Sequence, residues 1–178
     1  METPVVVGDQ GIILRPFAEE DALAVVEAGA DAHIPLITTV PPGCDAEAAY
    51  KFIERQWQRS KDGQGYSFAV AAVRGGPAVG QVGVWVQDLE AFRRLTLGYW
   101  VVPSQRGKGV ASEALALATG WAQEALDPVR CQAFIEPRNV PSWRAAERGG
   151  YEREGLLRAW EQIDGEWRDL YAYSTVKG

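Results

Sequence analysis

The sequence is poor in the residues that bind metals and cross-link chains. Its 178 residues include two cysteines, Cys44 and Cys131, and one histidine, His33. The cysteines form no C-x-x-C motif, and one histidine cannot complete a zinc site with them. We therefore expect no metal and two free thiols. A Ser-His-Asp triad would need His33, which lies in a proline-bounded loop without a G-x-S-x-G motif elsewhere, so His33 is expected at a surface or a pocket edge.

Long apolar runs and an excess of positive charge are also missing. No run approaches the roughly 18 apolar residues of a membrane span, and residues 1–8 lack the features of a signal peptide, so a cytoplasmic protein is predicted. The net charge of −6 argues against nucleic-acid binding, which requires Lys and Arg to neutralise phosphates. It permits a cationic partner, such as an amine or a basic peptide.

The length suits one domain over residues 1–178 with its own core. Strands and helical stripes alternate, which predicts an α/β (α+β) domain with a mixed, mostly antiparallel sheet of about seven strands and about four helices. The predicted strands are Gly11–Phe17, Tyr66–Val73, Ala78–Gln87, Leu95–Val102, Val129–Glu136, Leu156–Ile163 and Trp167–Val176. The predicted helices begin near Glu19, Asp45, Val110 and Asn139, and Ile34–Gly43 and Asp88–Arg94 are predicted connections.

The stretch Leu95–Leu126 carries the strongest functional pattern. An uncharged strand, expected to be buried on both faces, ends at Pro103-Ser104, and a glycine loop with two cations, Arg106 and Lys108, leads into a helix. Backbone N–H groups in the first turn of a helix have no intrahelical partners and favour an anion. The loop matches neither a Walker A motif nor G-x-G-x-x-G. An ordinary turn is the alternative, and the paired cations favour a phosphate ligand.

Three motifs in order resemble the GCN5-related N-acetyltransferase (GNAT) superfamily, and in particular its ribosomal-protein N-terminal acetyltransferase branch. Arg106-Gly107-Lys108-Gly109-Val110-Ala111 is similar to the acetyl-CoA-binding signature, and Leu97–Val101 looks like the fourth strand of that fold. Asn139-Val140-Pro141-Ser142 and Gly150–Gly155 resemble the N-x-x-S and G-[FY]-x-x-E-G motifs of the branch. The opening Leu14-Arg15-Pro16 is also typical of it.

The resemblance implies a splayed central sheet in which pantetheine lies between Leu95–Val102 and Val129–Glu136. Acetyl-CoA would then serve as cosubstrate, and the acceptor would be a protein N-terminus or a small-molecule amine, with a homodimer possible. The resemblance implies these cofactor-binding residues: Trp100, Val101, Val102, Arg106, Gly107, Lys108, Gly109, Val110, Ala111, Asn139 and Ser142. Backbone donors around Trp100 to Val102 would meet the charge that develops on the thioester oxygen.

Catalytic roles follow from the same resemblance. Ser142 would hydrogen-bond or protonate the leaving sulfur, with a simple helix-start serine as the alternative. The carboxylate that many members carry on the fourth strand is missing, since Thr96 and Leu97 occupy that region. Glu161 matches the glutamate that the branch uses as a base, although an exposed strand acid is the alternative, and Glu136 is the second candidate. The missing carboxylate also favours a rival, non-catalytic CoA-binding module.

Overall fold

One eight-stranded sheet organises the computed structural model, which describes residues 2–9, 11–72, 74–86 and 89–177. In chain order its strands are β1 (Val6–Val7), β2 (Ile12–Arg15), β3 (Gly65–Ala72), β4 (Gly80–Val86), β5 (Arg94–Val101), β6 (Arg130–Ile135), β7 (Glu152–Ile163) and β8 (Glu166–Val176). Their spatial order is β1-β2-β3-β4-β5-β6-β8-β7. Within the described ranges β5 and β6 are parallel, and every other neighbouring pair is antiparallel.

Helices cover both faces of this sheet. They are α1 (Ala22–Gly29), α2 (Ile34–Ile37), α3 (Ala46–Lys61), α4 (Leu89–Phe92), α5 (Val110–Ala125) and α6 (Val140–Arg148). Buried residues of α1, α2 and α3 form one apolar cluster against the sheet. Buried residues of α5 and α6 belong to a second cluster on the other face. None of the helices in the described ranges is long and apolar enough to cross a membrane.

The predicted mixed, mostly antiparallel α/β sheet is confirmed, and so are several of its local signals. Asp45 caps α3 through a hydrogen bond from the Ala48 N–H to its side chain at 2.9 Å. Along β6, Cys131, Ala133 and Ile135 are buried and alternate with half-buried residues. This is the expected pattern for a strand that packs one face against a core.

Short elements account for the differences in element count. The predicted loop Ile34–Gly43 begins with the one-turn helix α2, and the predicted connection Asp88–Arg94 contains α4. Helix α2 forms because Pro35 suits a first turn and because the Asp31 carboxylate accepts from the N–H groups of His33 and Ile34, both at 2.9 Å. The strand β1 was also not predicted. The predicted ends Val73, Gln87 and Asp88 lie outside the described residues.

Strand β5 is less buried than predicted, and the expectation that both of its faces are buried is wrong. Leu95, Leu97 and Trp100 are buried, whereas Gly98 and Tyr99 are half-buried and line a cavity. The reason is that β6 accompanies β5 for only three residue pairs, from Arg94↔Arg130 to Thr96↔Gln132.

A completely buried carboxylate, Asp21, ties the N-terminal segment to the sheet. Both oxygens bind the Arg15 guanidinium, at 2.7 and 2.8 Å, and they also accept from the N–H groups of Ala18 and Ala78. Burial acts to raise the pKa of Asp21, but the hydrogen bonds from Arg15, Ala18 and Ala78 outweigh it and hold that pKa below its ordinary value. The Leu14-Arg15-Pro16 motif therefore has a structural role.

We predict that Asp21→Asn destabilises the fold by about 3–5 kcal/mol, because it leaves Arg15 without its partner in a largely buried site. Because the pKa is lowered on folding, this stabilisation is complete above the ordinary carboxyl value of 3.8 and is lost as pH falls through the lowered one. Urea unfolding at pH 7 and at lower pH measures the difference. Glu20→Gln is the control, since Glu20 lies 3.8 Å from Arg15 and is 66% exposed; an equal loss in both variants would contradict the prediction.

Candidate active site

The cavity opens where β5 and β6 separate. Beyond Thr96 and Gln132 the two strands share no register pair, although β5 stays paired with β4 and β6 with β8. This is the splay implied by the resemblance. The space has a volume of about 350 Å³. Polar and aromatic groups on its wall include Tyr99, Trp100, Glu136, Asn139, Ser142 and Glu161.

The glycine loop lies between β5 and α5 and has the backbone of an anion cradle. Gly107 and Gly109 have φ of 77° and 82°, and Gly109 is the residue before the first turn of α5. No atom lies within 4 Å of a Cβ built at either glycine, so the left-handed backbone, and not crowding, requires glycine there. Arg106 and Lys108 are exposed on the same loop. The loop therefore fits a phosphate group.

Arg106 has partners within the protein. Its Nη2 lies 2.8 Å from Asp31 Oδ2, and its Nε donates to the Val101 carbonyl at 3.2 Å. Burial acts to raise the pKa of Asp31, but hydrogen bonds from the backbone of Ile34 and His33, together with Arg106, lower it below its ordinary value. Arg106 thus joins the glycine loop to the start of α2.

The backbone donors predicted on β5 are not equivalent. The Val102 N–H donates to the Val79 carbonyl at 3.0 Å, so it is engaged within the sheet. Successive N–H groups of a strand point to opposite sides, so the Val101 N–H points away from β4, toward the cleft. Trp100 is 4% exposed, and its carbonyl faces Gly80 on β4.

A buried polar network that no sequence pattern indicates lies beside Trp100. The Trp100 Nε1 donates to Gln81 Oε1 at 2.5 Å, and the Gln81 amide donates to Ser67 Oγ, also at 2.5 Å. Ser67 in turn donates to Gln56 on α3 at 3.0 Å. These polar groups satisfy one another, which buried polar groups require, and they fix the indole on the cavity wall.

Ser142 and Tyr99 are hydrogen-bonded across the cleft. The Ser142 hydroxyl donates to the Tyr99 hydroxyl at 3.1 Å, and the Tyr99 hydroxyl donates to the Ser142 carbonyl at 2.8 Å. Burial raises the pKa of Tyr99 to about 12, and the bond with Ser142 opposes that rise. Tyr99 therefore stays protonated at neutral pH. The sequence does not predict this contact, because nothing in a strand pattern shows which hydroxyl Tyr99 meets.

Asn139 caps α6, which begins where the sequence predicts a helix. Its Oδ1 accepts from the Ser142 N–H at 3.3 Å, and its Nδ2 lies 3.2 Å from His33 Nε2. The cap brings Asn139 and Ser142 to the cavity together, since one fixes the first turn that carries the other. His33 also lines the cavity, which agrees with its expected place at a pocket edge.

The two candidate carboxylates both line the cavity but differ in burial. Glu161 lies on β7 opposite Arg168 of β8 and is exposed. The Glu136 side chain, at the end of β6, is 4% exposed, and its Oε1 lies 2.9 Å from Arg138 Nε. Its Oε2 is buried and has no hydrogen-bond partner among the residues the structure describes. A buried oxygen without a partner is costly.

Neither cysteine is placed to react. Cys44 and Cys131 are free and buried, and neither belongs to the cavity wall. Burial raises the pKa of the Cys131 thiol to about 11, so it is a poor nucleophile at neutral pH. Over the described ranges no three His, Cys, Asp or Glu side chains form a group that could hold a metal.

Trp85 forms part of the cavity wall over two paired glycines. Gly83 of β4 faces Gly98 of β5 in the register. A Cβ at Gly83 would lie 2.6 Å from the Trp85 ring, and one at Gly98 would lie 3.0 Å from it. Arg59 of α3 stacks over the same ring at 5.3 Å. The indole can therefore lie flat here only because both positions lack a side chain.

Comparisons with known proteins agree with this geometry. A family model described as "Acetyltransferase (GNAT) domain" matches residues 12–152. An uncharacterized N-acetyltransferase of Bacillus licheniformis is 28% identical over 93% of each chain. The [ribosomal protein uS5]-alanine N-acetyltransferase of Escherichia coli is 35% identical over 79 residues, which are 44% of this chain and 41% of that protein.

Solved structures show the same fold. The RimJ protein of Mycobacterium smegmatis, in complex with CoA-disulfide, superposes with a TM-score of 0.80 at 26% identity, over 99% of this chain and 87% of that one. A GNAT-family acetyltransferase of Bacillus anthracis gives a TM-score of 0.82 at 22% identity, over 97% and 98% of the two chains.

The glycine pair beneath Trp85 yields a prediction about the cavity wall. We expect Gly83→Ala to destabilise the fold by about 1–3 kcal/mol, because the new methyl group must displace the indole. Gly120→Ala in α5, where nothing lies within 4 Å of the added Cβ, is the matched control and should stabilise by roughly 0.5–1 kcal/mol through helix propensity. Urea unfolding compares the two variants. A stabilised Gly83→Ala would mean that the indole does not rest on this position.

Proposed function

The chain belongs to the GNAT acetyltransferase family and transfers an acetyl group from acetyl-CoA to an amine, and on that premise we propose which of its residues carry out the transfer. The observation that carries the proposal is the cleft between β5 and β6. On or beside it lie a hydroxyl pair, the glycine loop and a buried carboxylate, one oxygen of which has no hydrogen-bond partner in the described part of the chain.

We propose that the phosphates of CoA bind the loop Arg106–Ala111 and that pantetheine enters the cleft beside Trp100–Val102 and Asn139. The left-handed glycines and the first turn of α5 support this, because free N–H groups and the helix dipole favour an anion. When bound, acetyl-CoA supplies an acetyl group activated as a thioester. The side chains and backbone groups of this chain bind acetyl-CoA, orient it and move protons.

Charge that develops on the thioester oxygen needs a fixed donor. We propose the Val101 N–H for this role, since the neighbouring Val102 N–H already donates within the sheet. Trp100 helps to fix this segment, because its indole is held by Gln81 in the buried polar network.

The leaving thiolate needs a proton or a hydrogen bond. We propose that the Ser142 hydroxyl, which otherwise donates to the Tyr99 oxygen at 3.1 Å, turns to donate to the sulfur when acetyl-CoA binds. Tyr99 stays hydrogen-bonded to the Ser142 carbonyl and positions the serine, and the thiolate takes its proton from water. Tyr99 keeps its proton at neutral pH, since burial raises its pKa to about 12. A thiol with an ordinary pKa near 8.5 is a tolerable leaving group, so the demand on this pair is modest.

The acceptor amine must lose a proton before it attacks. We propose Glu136 as the base, because its buried Oε2 has no hydrogen-bond partner among the described residues and belongs to the cavity wall. Glu161, which the resemblance favours, lies on the same wall but is exposed, and we propose that it attracts the cationic acceptor to the cavity mouth. Glu136 would also take the place of the carboxylate that many members of the family carry on the fourth strand.

We propose direct transfer in a ternary complex. Cys44 and Cys131 are buried, and burial raises the pKa of both thiols. An acyl-enzyme intermediate on either is therefore disfavoured. A cytoplasmic location, where thiols stay reduced, belongs to the same proposal.

We propose a protein N-terminal α-amino group as the acceptor, with a small-molecule amine as the rival. An α-amino group has a pKa of about 7.7–8.0 against about 10.4 for lysine, so a weak base suffices. The cavity combines carboxylates with apolar side chains such as Ile37, Trp85 and Leu170, which suits an amine attached to an apolar residue. Similarity to the E. coli enzyme that acts on a ribosomal protein supports this choice.

Cofactor binding is tested by thermal melting with acetyl-CoA. At a hundredfold excess over Kd, linkage gives about 2.7 kcal/mol, or a rise of roughly 5–10 °C for a domain of this size. Arg106→Ala should weaken binding about tenfold, since it removes a charge-assisted contact. Lys51→Ala on α3, where Lys51 pairs with Glu47, is the control and should bind normally. Unchanged affinity in Arg106→Ala would remove the phosphate role, and no shift with the wild type would leave the loop a simple turn.

The base is tested by comparing Glu136→Gln with Glu161→Gln in a thiol-release assay with a short peptide that has a free N-terminus. We expect Glu136→Gln to lower kcat about 10²–10³-fold, as loss of a general base does, with normal acetyl-CoA affinity. Glu161→Gln should mainly raise the KM for the peptide. The reverse pattern would make Glu161 the base, and an N-terminally blocked peptide is the negative control. Absence of turnover with any amine would favour the non-catalytic CoA-binding module.

A further inference from the structure

His33 lies beside Glu136, the proposed base, and has no role in the transfer steps proposed above. Its Nε2 is 3.6 Å from Glu136 Oε2, the oxygen without a hydrogen-bond partner among the described residues. The His33 side chain is 34% exposed, whereas the Glu136 side chain is 4% exposed. The pair therefore joins a buried carboxylate to solvent at the cavity edge.

The helix cap orients the protons of this pair. Asn139 Oδ1 accepts from the Ser142 N–H, so its amide nitrogen is the atom that faces His33 Nε2, at 3.2 Å. An amide nitrogen can only donate, so the neutral His33 accepts at Nε2 and keeps its proton on Nδ1. A proton added at Nε2 would instead point at Glu136 Oε2. One nitrogen can thus serve either neighbour according to its protonation.

The backbone of His33 is held in place. The Asp31 carboxylate accepts from the N–H groups of His33 and Ile34, both at 2.9 Å, and its other oxygen binds Arg106 at 2.8 Å. The backbone of His33 is therefore fixed from the side of the glycine loop, and Asn139, the cap of α6, meets its ring.

Several other charged or titratable groups surround the pair. Arg138 Nε lies 2.9 Å from Glu136 Oε1 and so pairs with the other carboxylate oxygen. Around the same cavity and the start of α2, the further groups are Asp31 and Arg106 beneath His33, Tyr99 on β5 and Glu161 on β7. The contact between His33 Nε2 and Glu136 Oε2 is the one that would link His33 to the acceptor amine.

We propose that His33 carries the acceptor's proton from Glu136 to solvent. The ammonium form of the acceptor gives a proton to Glu136 Oε2, and Glu136 passes it to His33 Nε2. His33 then releases its Nδ1 proton to bulk water and is neutral again, with its remaining proton on Nε2. Proton exchange with solvent moves that proton to Nδ1 and restores the starting tautomer. The amine is left neutral and one proton has entered solvent, so charge balances. An imidazole suits this step because it exchanges protons near neutral pH. The inference rests on Glu136 as the base.

The test compares kcat of His33→Ala and His33→Gln with the wild type, with and without added imidazole and with the same peptide acceptor. We expect kcat to fall at least tenfold in both variants, with acetyl-CoA affinity within twofold of the wild type. Added imidazole should restore His33→Ala in proportion to its free-base concentration, which a merely structural role would not produce. Leu23→Ala on α1, where the side chain is 75% exposed and outside the cavity wall, is the control and should keep the wild-type rate and show no response to imidazole. His33→Gln retains a polar side chain of similar reach should the smaller variant unfold.

The outcomes separate the relay from the base. Wild-type rates in both His33 variants, or impaired rates without imidazole rescue, would overturn the relay while an impaired Glu136→Gln keeps the base. A fully active Glu136→Gln would overturn both. Rescue of His33→Ala by imidazole, together with an impaired Glu136→Gln that imidazole does not rescue, supports the relay in the stated order.

Discussion

The structure depends on two parallel strands that are paired where they begin and then separate. Strands β5 and β6 share three register pairs, and each then keeps only its outer neighbour, β4 or β8. Backbone groups on the facing edges must find other partners, because unpaired buried N–H and C=O groups are costly. The Val101 carbonyl finds Arg106. The other backbone N–H and C=O groups on these facing edges can bind a ligand.

The parallel direction of these two strands decides what surrounds the cleft. Their carboxyl ends point the same way, so the helices that follow them, α5 and α6, both begin near the opening. Helix starts favour negative charge. One start carries the glycine loop and the other carries Asn139 and Ser142. The same topology thus delivers an anion cradle and a polar cluster to one edge, while the flanking antiparallel strands supply rigidity.

Much of this could be predicted because it is local. The strand, glycine loop and helix from Leu95 to Leu126 follow from proline, glycine and apolar spacing, and the caps at Asp45 and Asn139 follow from residue type. The short helix α2 could not be predicted, because it relies on the Asp31 carboxylate and not on a periodic pattern.

The distant contacts needed the structure or a resemblance. No spacing shows that β6 leaves β5 after Thr96, and the splay was expected only from the family likeness. Likewise, the Tyr99–Ser142 bond joins residues 43 positions apart, and His33 meets Asn139 from 106 positions away. The motif favoured Glu161. The proposal of Glu136 rests on burial and on an oxygen without a hydrogen-bond partner among the described residues, and a motif shows neither.

The two glycines beneath the Trp85 ring, Gly83 and Gly98, also limit how the cavity can change in evolution. A side chain at position 83 or 98 crowds the indole while Trp85 is present, most severely at position 83, so substitutions at the three sites are coupled. A lineage that replaces Trp85 with a smaller residue first removes the obstacle, and the glycines then become free to accept substitutions. The opposite order passes through an overpacked intermediate. We therefore expect changes along this wall to follow one order, in which Trp85 is replaced before side chains appear at positions 83 and 98. Once those side chains are present, an indole at position 85 has little room to return.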